Sequence, residues 1–428
     1  MIGPHNFRLW FSALGLGLLF SCQHASAYSV LTHEAIIDST WDSGIKPLLL
    51  KRFPACTGDE LREAHGYAYG GSIIQDLGYY PFGSAFYSDL THYVRSGDFI
   101  VNMIRESQDL DEYAFALGAL AHFAADNSGH RIATNVSVPL LYPKLRLKFG
   151  NFITYADDHV SHSRTEFAFD VFQASKGRYA SEGYKDFVGF QVSKRVLEQA
   201  FLDTYGMKLE SVFLNVDLAI GSYRRAVGTI LPALTRVAWQ IKKDEIRKEV
   251  PGITRKKFLY NLSRSSYEKN WGSTYQRPGF RSRLLAAIFR IAPRAGPLKA
   301  LAYQPLTAET EKLYMAGFNA SIDRYRELLA AVSGGRLKLP NDNFDVGGPT
   351  KAGSYILTDA AYAKLMHKLD GRYADLPPEL RTNMLSFYED LSLPISTKKD
   401  ASDWTQLQDE LDRLRAADRE VVAHVSDQ

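Results

Sequence analysis

The strongest constraint on the fold of this chain is a set of histidines and carboxylates with helical spacing. His122 and Asp126 lie four residues apart in the nearly apolar run Glu112 to Asn127, and His162 and Glu166 repeat that spacing. Residues i and i+4 share one face of an α-helix, so each pair can bind one ion. An unpaired Asp among apolar side chains is costly, which favours a metal partner. The alternative is a His–Asp hydrogen bond that only satisfies a core histidine.

The wider distribution of histidines favours the metal interpretation. Seven of the eleven histidines lie between His33 and His162. Imidazole is the most common neutral metal ligand, and carboxylates complete divalent sites. The candidate ligands in this region, in chain order, are His33, Asp76, His92, His122, Asp126, His130, His159, His162 and Glu166. Such crowding predicts a cluster of zinc ions, whereas His65, His367 and His424 are interpreted as structural or surface residues.

Helical periodicity runs through most of the chain and predicts an all-α, multi-helix bundle. Besides the run at Glu112, apolar residues recur at helical spacing in Tyr155 to Phe172, Tyr184 to Tyr205, Val212 to Val250, Thr307 to Val332 and Asp400 to Val425. Strand-like alternation is scarce. Long connections are predicted from Gly70 to Thr91 and from Gly334 to Ser354.

The first 27 residues have the pattern of a secretory signal peptide. Arg8 is followed by an apolar run from Leu9 to Phe20, which is too short to span a bilayer, and then by Ala25-Ser26-Ala27. Cleavage after Ala27 predicts an exported protein, periplasmic or secreted, that begins at Tyr28. Lipidation at Cys22 is a less favoured alternative. Cleavage leaves a single cysteine, so the mature fold cannot contain an internal disulfide.

A basic stretch lies at residues 236–299. It contains sixteen Lys or Arg residues against four Asp or Glu, with aromatic residues between them. The plain interpretation is a solvated helix face, and the alternative is a surface that contacts anionic lipid. The net charge of +3 indicates no particular partner. The sequence shows no specific nucleic-acid signature, and no protein partner can be inferred.

In its ligand order the chain resembles the zinc-dependent phospholipase C family, which is related to the S1/P1 nucleases. That family has an N-terminal residue followed by His, Asp, His, His-x-x-x-Asp, His and His-x-x-x-Glu or Asp, and each element has a counterpart here between Tyr28 and Gln173. The resemblance implies an all-helical core over residues 28–175 that holds three zinc ions. Residues 176–428 are then a helical extension of unknown role.

The resemblance also implies a ligand for each ion. The first zinc takes the terminal amino group and carbonyl of Tyr28, with His33 and a bridging Asp126. The second takes Asp76, His92, His122 and Asp126, and the third takes His130, His162 and Glu166. His130 follows Asp126 by four residues where the family has six, so His159 is kept as the alternative ligand. Asp89 is interpreted as an acceptor that orients an imidazole.

The implied activity is hydrolysis of a phosphodiester. Zinc neutralises the charge of the diester and lowers the pKa of bound water to near 7. Asp76 is the candidate catalytic residue, because the family's equivalent orients or deprotonates the attacking water. A phospholipid substrate, with contact at a membrane surface, is expected. The alternatives are an S1/P1-like nuclease for single strands and a zinc-stabilised exported binding protein without turnover.

Overall fold

The computed structural model describes residues 30–175, 189–227, 244, 247, 303–393 and 401–426. Within these residues the fold is all-α, as predicted, and the only β-pairing is an isolated bridge between Asn343 and Gly348. The helices, numbered within the described residues, are α1 Val30–Thr40, α2 Lys46–Arg52, α3 Gly58–Gly71, α4 Ala85–Tyr93, α5 Ser96–Glu106, α6 Leu110–Gly129, α7 Asn135–Leu141, α8 Pro143–Phe149, α9 His159–Ser175, α10 Lys194–Tyr205, α11 Val216–Arg225, α12 Ala308–Ser333, α13 Ile356–Leu369, α14 Pro378–Phe387 and α15 Ala401–Ser426.

Helix α6 is the centre of the fold, and nearly every one of its side chains is buried. It begins at Asp109, whose side chain accepts a hydrogen bond from the backbone N–H of Glu112. Glycine allows α3 to approach α6 very closely. A Cβ atom on Gly118 would lie 2.2 Å from the carbonyl oxygen of Ala68, and one on Gly71 would lie 2.0 Å from that of Phe115. The small residues of α6 therefore let a neighbouring backbone pack directly against it.

Helices from the last third of the chain pack on the same centre. On α12, the Tyr325 hydroxyl donates to the Leu117 carbonyl of α6 at 2.8 Å, and Ser321 donates to the Ala125 carbonyl at 3.3 Å. One apolar cluster runs from Val30 on α1 to Leu414 on α15. The domain boundary at residue 175 stays a prediction, but the described residues on both sides of it share this core.

The predicted connection at Gly70 to Thr91 is only partly right. A 3₁₀ helix occupies Ile74–Tyr79, and α4 begins at Ala85. Side-chain bonds hold the short turn: Tyr87 donates to the Ile74 carbonyl at 3.1 Å, and Ser88 donates to the Gln75 carbonyl at 2.6 Å. These contacts are tertiary, which is why the local pattern of glycine and tyrosine did not reveal them. The connection at Gly334 to Ser354 is non-helical, as predicted.

Three predicted helices begin later in the structure than the sequence suggested, the first of them at His159 instead of Tyr155. The helix predicted for Tyr184 to Tyr205 begins at Lys194, and residues 189–193 before it are non-helical. The helix predicted from Val212 begins at Val216, because Asn215 caps it by accepting from the N–H of Leu218. Its predicted continuation, the leader, Tyr28 and nearly all of the basic stretch at 236–299 lie outside the described residues. Among the described helices, none is both long and apolar enough for a membrane span.

Candidate metal centre

Helix α6 carries ligand-type side chains to two places in the site. His122 and Asp126 lie one turn apart on the same face, and His130 continues that spacing at the helix end. Four residues of helix rise about 6 Å, so His130 lies beyond the first pair. The chain passes into a π-helical turn at His130–Thr134, a wider turn that is often found at functional sites. One element thus contributes to two groups of side chains.

The first group surrounds Asp126, which is fully buried. Its Oδ1 lies 3.5 Å from His33 Nε2, and its Oδ2 lies 3.1 Å from His122 Nε2 and 3.7 Å from His92 Nε2. Asp76 Oδ1 lies 3.3 Å from the same His92 nitrogen. The two oxygens of Asp126 therefore face different imidazoles, which is the arrangement a carboxylate needs to bridge two cations.

Backbone carbonyls orient two of these imidazoles. Nδ1–H of His92 donates to the Ser88 carbonyl at 2.8 Å, and Nδ1–H of His122 donates to the Ser72 carbonyl at 2.9 Å. In the neutral imidazoles these bonds place the proton on Nδ1 and a lone pair on each Nε2, and the two Nε2 atoms lie only 3.4 Å apart. Two nitrogen lone pairs at that distance favour a cation between them. The orienting role that the sequence suggested for Asp89 belongs at His92 to the Ser88 carbonyl.

The second group consists of His130, His162 and Glu166. Glu166 Oε1 lies 3.1 Å from His130 Nε2 and 3.1 Å from His162 Nδ1. On the other side of its ring, His162 Nε2 lies 2.8 Å from Asn135 Oδ1. All three ligand-type residues are buried. His159, the alternative ligand, is exposed at the start of α9, so the structure favours His130.

Asp345 is a member of the site that the sequence did not reveal. Its Oδ1 lies 3.5 Å from His162 Nε2 and 3.7 Å from His130 Nδ1. The preceding residue, Phe344, donates its N–H to the His92 carbonyl at 3.2 Å and packs against the rings of His92 and His122. The run Asn341 to Gly348 signals a turn, and nothing in it marks which carboxylate points inward.

The electrostatics of the first group favour positive charge. Burial alone would lower the pKa of His92, but the carboxylates of Asp126 and Asp76 raise it to about 10. Burial, together with the neighbouring His122, lowers the pKa of His33 to about 3. Burial raises the pKa of Asp76, against the attraction of His122 and His92. Without a metal, protons take the positions at which cations would bind.

The second group has the same character. Burial alone would lower the pKa of His162, but Glu166 and Asp345 raise it to about 10. The same imidazole lowers the pKa of Glu166 against the effect of burial. Two carboxylates flanking two imidazoles make a site in which a divalent cation can replace protons.

The donors present fit zinc. Each of three sets of residues offers ligand atoms that lie within 4.8 Å of one another: His33, His122 and Asp126; Asp76, His92 and His122; His130, His162 and Glu166. Buried oxygens of Asp126, Asp76 and Glu166 have no hydrogen-bond partner among the described residues. Histidine-rich sets with carboxylates suit zinc, whereas magnesium and calcium prefer oxygen shells.

His65 and His367 lie away from the candidate ligands, as the sequence suggested, and the side chain of His424 lies outside the described residues. His65 stacks on Trp41, with ring centres 3.8 Å apart, and lies 3.1 Å from Asp38. His367 lies 3.0 Å from Glu410, far along the chain from the candidate ligands. The predicted terminal ligand Tyr28 precedes the described residues and stays a prediction.

Within the described residues, an all-α fold thus surrounds three buried sets of side chains that could each hold a metal ion. Residues 32–215 match the family model described as zinc dependent phospholipase C, so this part of the chain is similar to that family. The family is one of phosphodiester hydrolases. The match contains every candidate ligand from His33 to Glu166 and ends well before Asp345. No curated protein and no solved structure matches the chain.

Proposed function

We propose that this chain is an exported phospholipase C that holds three zinc ions and cleaves the glycerol–phosphate bond of a phospholipid. The observation that carries the proposal is the position of Asp126, whose two oxygens face His33 on one side and His122 and His92 on the other. A bridging carboxylate implies adjoining cations, and the family match supplies the reaction.

The proposed ligands for each ion combine the described side chains with Tyr28, which precedes the described residues. His33 and Asp126 would hold the first zinc together with the amino group and carbonyl of Tyr28. The second would lie among Asp76, His92, His122 and Asp126, and the third among His130, His162 and Glu166. When bound, zinc neutralises the phosphodiester and makes hydroxide available near pH 7.

The protein side chains position the reactants. Asp76, buried on the 3₁₀ turn, would accept a proton from the attacking water while the oxygen of that water bonds to phosphorus. The P–O bond to glycerol would then break, the glycerol oxygen would take up the proton that Asp76 accepted from the water to give diacylglycerol, and the phosphate would stay on the head group. Tyr79 and Tyr155 lie beside the candidate ligands: the ring centre of Tyr79 is 6.0 Å from that of His92, and the ring centre of Tyr155 is 5.6 Å from that of His162.

The position of Asp76 favours an enzyme over a binding protein without turnover. The non-catalytic alternative requires that Asp76 be displaced from the other ligands, whereas its Oδ1 lies 3.3 Å from His92 Nε2. The test is metal content by mass spectrometry with parallel assays on phosphatidylcholine and single-stranded DNA. We expect two to three zinc ions per chain and release of diacylglycerol. Hydrolysis of DNA alone, or of neither diester, would overturn the proposal.

The role of Tyr28 can be tested at the terminus itself. Cleavage after Ala27 would leave its amino group free, five residues before His33. A protein that begins at Tyr28 should hold one more zinc than a version with Met-Gly ahead of it. Equal zinc content and equal hydrolysis in the two versions would refute the terminal ligand, as would lipidated Cys22 in cells.

A further inference from the structure

We infer that Asp345, from outside the family-matched segment, is a positioning residue for the second group of ligands. His130 and His162 each turn one ring nitrogen toward Glu166 Oε1, at 3.1 Å. Their other ring nitrogens face Asp345 Oδ1, at 3.7 Å and 3.5 Å. The two carboxylates therefore lie on opposite sides of both imidazoles.

This arrangement separates the ligand from the residue that orients it. The three residues whose ligand atoms lie within 4.8 Å of one another are His130, His162 and Glu166, without Asp345. A metal on the Glu166 side requires lone pairs on His130 Nε2 and His162 Nδ1, so the protons must sit on His130 Nδ1 and His162 Nε2. Asp345 Oδ1 faces both of these N–H groups, and the N–H on His162 Nε2 also donates to Asn135 Oδ1 at 2.8 Å. Carboxylates behind metal-binding imidazoles fix the tautomer and increase the basicity of the ligand.

Asp345 is itself held in place. Its Oδ2 accepts from the N–H of Tyr155 at 2.8 Å and from the hydroxyl of Tyr355. Its backbone carbonyl accepts from Asn135 Nδ2 at 2.6 Å, and its backbone N–H donates to Asn343 Oδ1 at 2.9 Å. One carboxylate oxygen is thus used for anchoring, and the other is left for the imidazoles.

The same loop is fixed to helix α6. Gly347 has a φ of +71°, and a Cβ atom there would lie 2.6 Å from the Asn127 carbonyl. A residue with a side chain would be strained and would push the loop away from the site. The loop therefore places Asp345 through several independent contacts rather than by chance packing.

The experiment compares Asp345→Ala with Asp359→Ala in the full-length zinc protein. Asp359 is a buried carboxylate of the same region that accepts from the N–H of Gly353 at 2.9 Å and contacts no candidate ligand among its described bonds. Zinc affinity is measured by competition with a chromophoric chelator, and the ligand field by absorption of the cobalt-substituted protein. We expect Asp345→Ala to weaken the binding of one zinc about 10- to 100-fold and to change the cobalt spectrum.

Asp359→Ala should lower thermal stability and leave zinc affinity and the cobalt spectrum unchanged. Asp345→Asn, which keeps an acceptor oxygen, should recover part of the lost affinity and provides a second variant if Asp345→Ala does not fold. Unchanged affinity in a folded Asp345 variant, or an equal loss in Asp359→Ala, would overturn the inference. Complete loss of one zinc at saturating metal would also overturn it, because Asp345 would then be a ligand.

A second inference rests on a different observation, the surface at residues 143–152. No residue of α8, Pro143–Phe149, is buried, and Leu147 and Phe152 are 89% and 40% exposed. Lys144, Arg146 and Lys148 are exposed on the same segment. Between Asp126 and Asp157 the chain contains no Asp or Glu. An exposed leucine among cations that form no ion pair within the described residues is complementary to an anionic phospholipid surface.

The 143–152 segment adjoins the candidate site. The residue that follows it, Ile153, donates its N–H to the Asn135 carbonyl at 2.9 Å, and Asn135 contacts His162. We propose that this segment docks the enzyme on a bilayer that contains anionic phospholipid, with the second ligand group close to the lipid head groups. This proposal rests on the proposed function.

The test measures binding of the zinc protein to phosphatidylcholine vesicles with and without phosphatidylserine. Charge reversal at Lys144, Arg146 and Lys148 should weaken binding to the anionic vesicles about 100-fold at low salt. The matched control reverses the exposed Lys312, Arg336 and Lys338 and should bind as wild type. Leu147→Ala should also weaken binding, whereas Leu214→Ala, at a leucine that is 97% exposed, should not.

Hydrolysis of a short-chain, monomeric phosphatidylcholine separates the two proposals. Retained hydrolysis with reduced vesicle binding supports docking by the 143–152 segment. Vesicle binding that is unchanged by the reversal, or reduced equally by the control, overturns the docking proposal and leaves the enzyme function intact. Absence of hydrolysis in the wild type contradicts the function itself.

Discussion

Asp76 has a proposed role as a proton acceptor in addition to its role as a zinc ligand, and a conservative substitution can test that role. Asp76→Asn keeps the shape of the side chain and removes the proton acceptor, so we expect a loss of about 10²- to 10⁴-fold in kcat with little change in melting temperature. The measurement is steady-state hydrolysis with zinc content determined in parallel.

The matched control for Asp76 is Asp89→Asn, because Asp89 is the nearby carboxylate that the sequence offered as an alternative. It should keep most of the activity. If Asp76→Asn remains active and Asp89→Asn does not, the roles of the two residues are reversed.

Asp126 should affect both stability and activity. Asp126→Ala removes the carboxylate that faces three imidazoles in a fully buried position, and breaking such a set of charges costs about 3–5 kcal/mol. We expect loss of zinc, loss of activity and a lower free energy of unfolding, measured by chemical denaturation. A variant with full zinc content and wild-type stability would show that Asp126 does not bridge the ions.

The residue scale also shows what sequence reasoning can and cannot reach. His122 with Asp126, and His162 with Glu166, were predictable because a helix converts a spacing of four residues into proximity. Asp345 was not, because it reaches His162 across 183 residues of sequence (345 − 162) through a loop without periodicity. His130 was the uncertain case, and the π-helical turn that begins there cannot be read from side-chain spacing.

At the scale of elements, the contact between α3 and α6 should be intolerant of a single methyl group. Gly118→Ala places a Cβ atom 2.2 Å from the Ala68 carbonyl, so the helices must separate, at a cost of about 1–3 kcal/mol. The control is Gly221→Ala on α11, where a Cβ atom would have no neighbour within 4 Å. That variant should be neutral or slightly stabilising. Equal melting temperatures for the two variants would contradict the close approach.

The first turn of α6 should make stability depend on pH. Burial and the negative charges of Glu63 and Asp109 raise the pKa of Asp111 to about 7. The folded pKa lies above the unfolded value of about 3.9, so the protonated side chain favours the folded state. This contribution to the free energy of unfolding is fully present below pH 4 and is lost as the pH rises through 7. Asp111→Asn should therefore melt higher than wild type at pH 8 and no higher at pH 4. Parallel melting curves across that range would contradict the raised pKa.

At the scale of the whole molecule, the metal sites should contribute to folding. Buried carboxylates and imidazoles from α1, α4, α6 and α9 meet in the two ligand groups. Removing zinc leaves these groups without cations, so the stripped protein should melt at a lower temperature and recover on addition of zinc. The measurement is differential scanning calorimetry with and without a chelator. An unchanged melting temperature after verified removal of zinc would show that the fold is independent of metal.

The fold class was predictable at this scale because helical periodicity is a local property that repeats along the chain. The helix boundaries, and the packing of helices from the last third of the chain on α6, were less predictable. The site lies within the family-matched segment except for the loop that carries Phe344 and Asp345, and that loop comes from the region in which the sequence showed no motif.

The reach of Asp345 across the chain has a consequence for biosynthesis. A ribosome must translate residue 345 before His130 and His162 can acquire their second carboxylate neighbour, long after Glu166 has emerged. A chain that ends before residue 344 lacks the carboxylate that faces the second group and also Phe344, which packs against His92 and His122 in the first. The candidate site can therefore form fully only after residues 344 and 345 have been translated, and shorter products lack part of it.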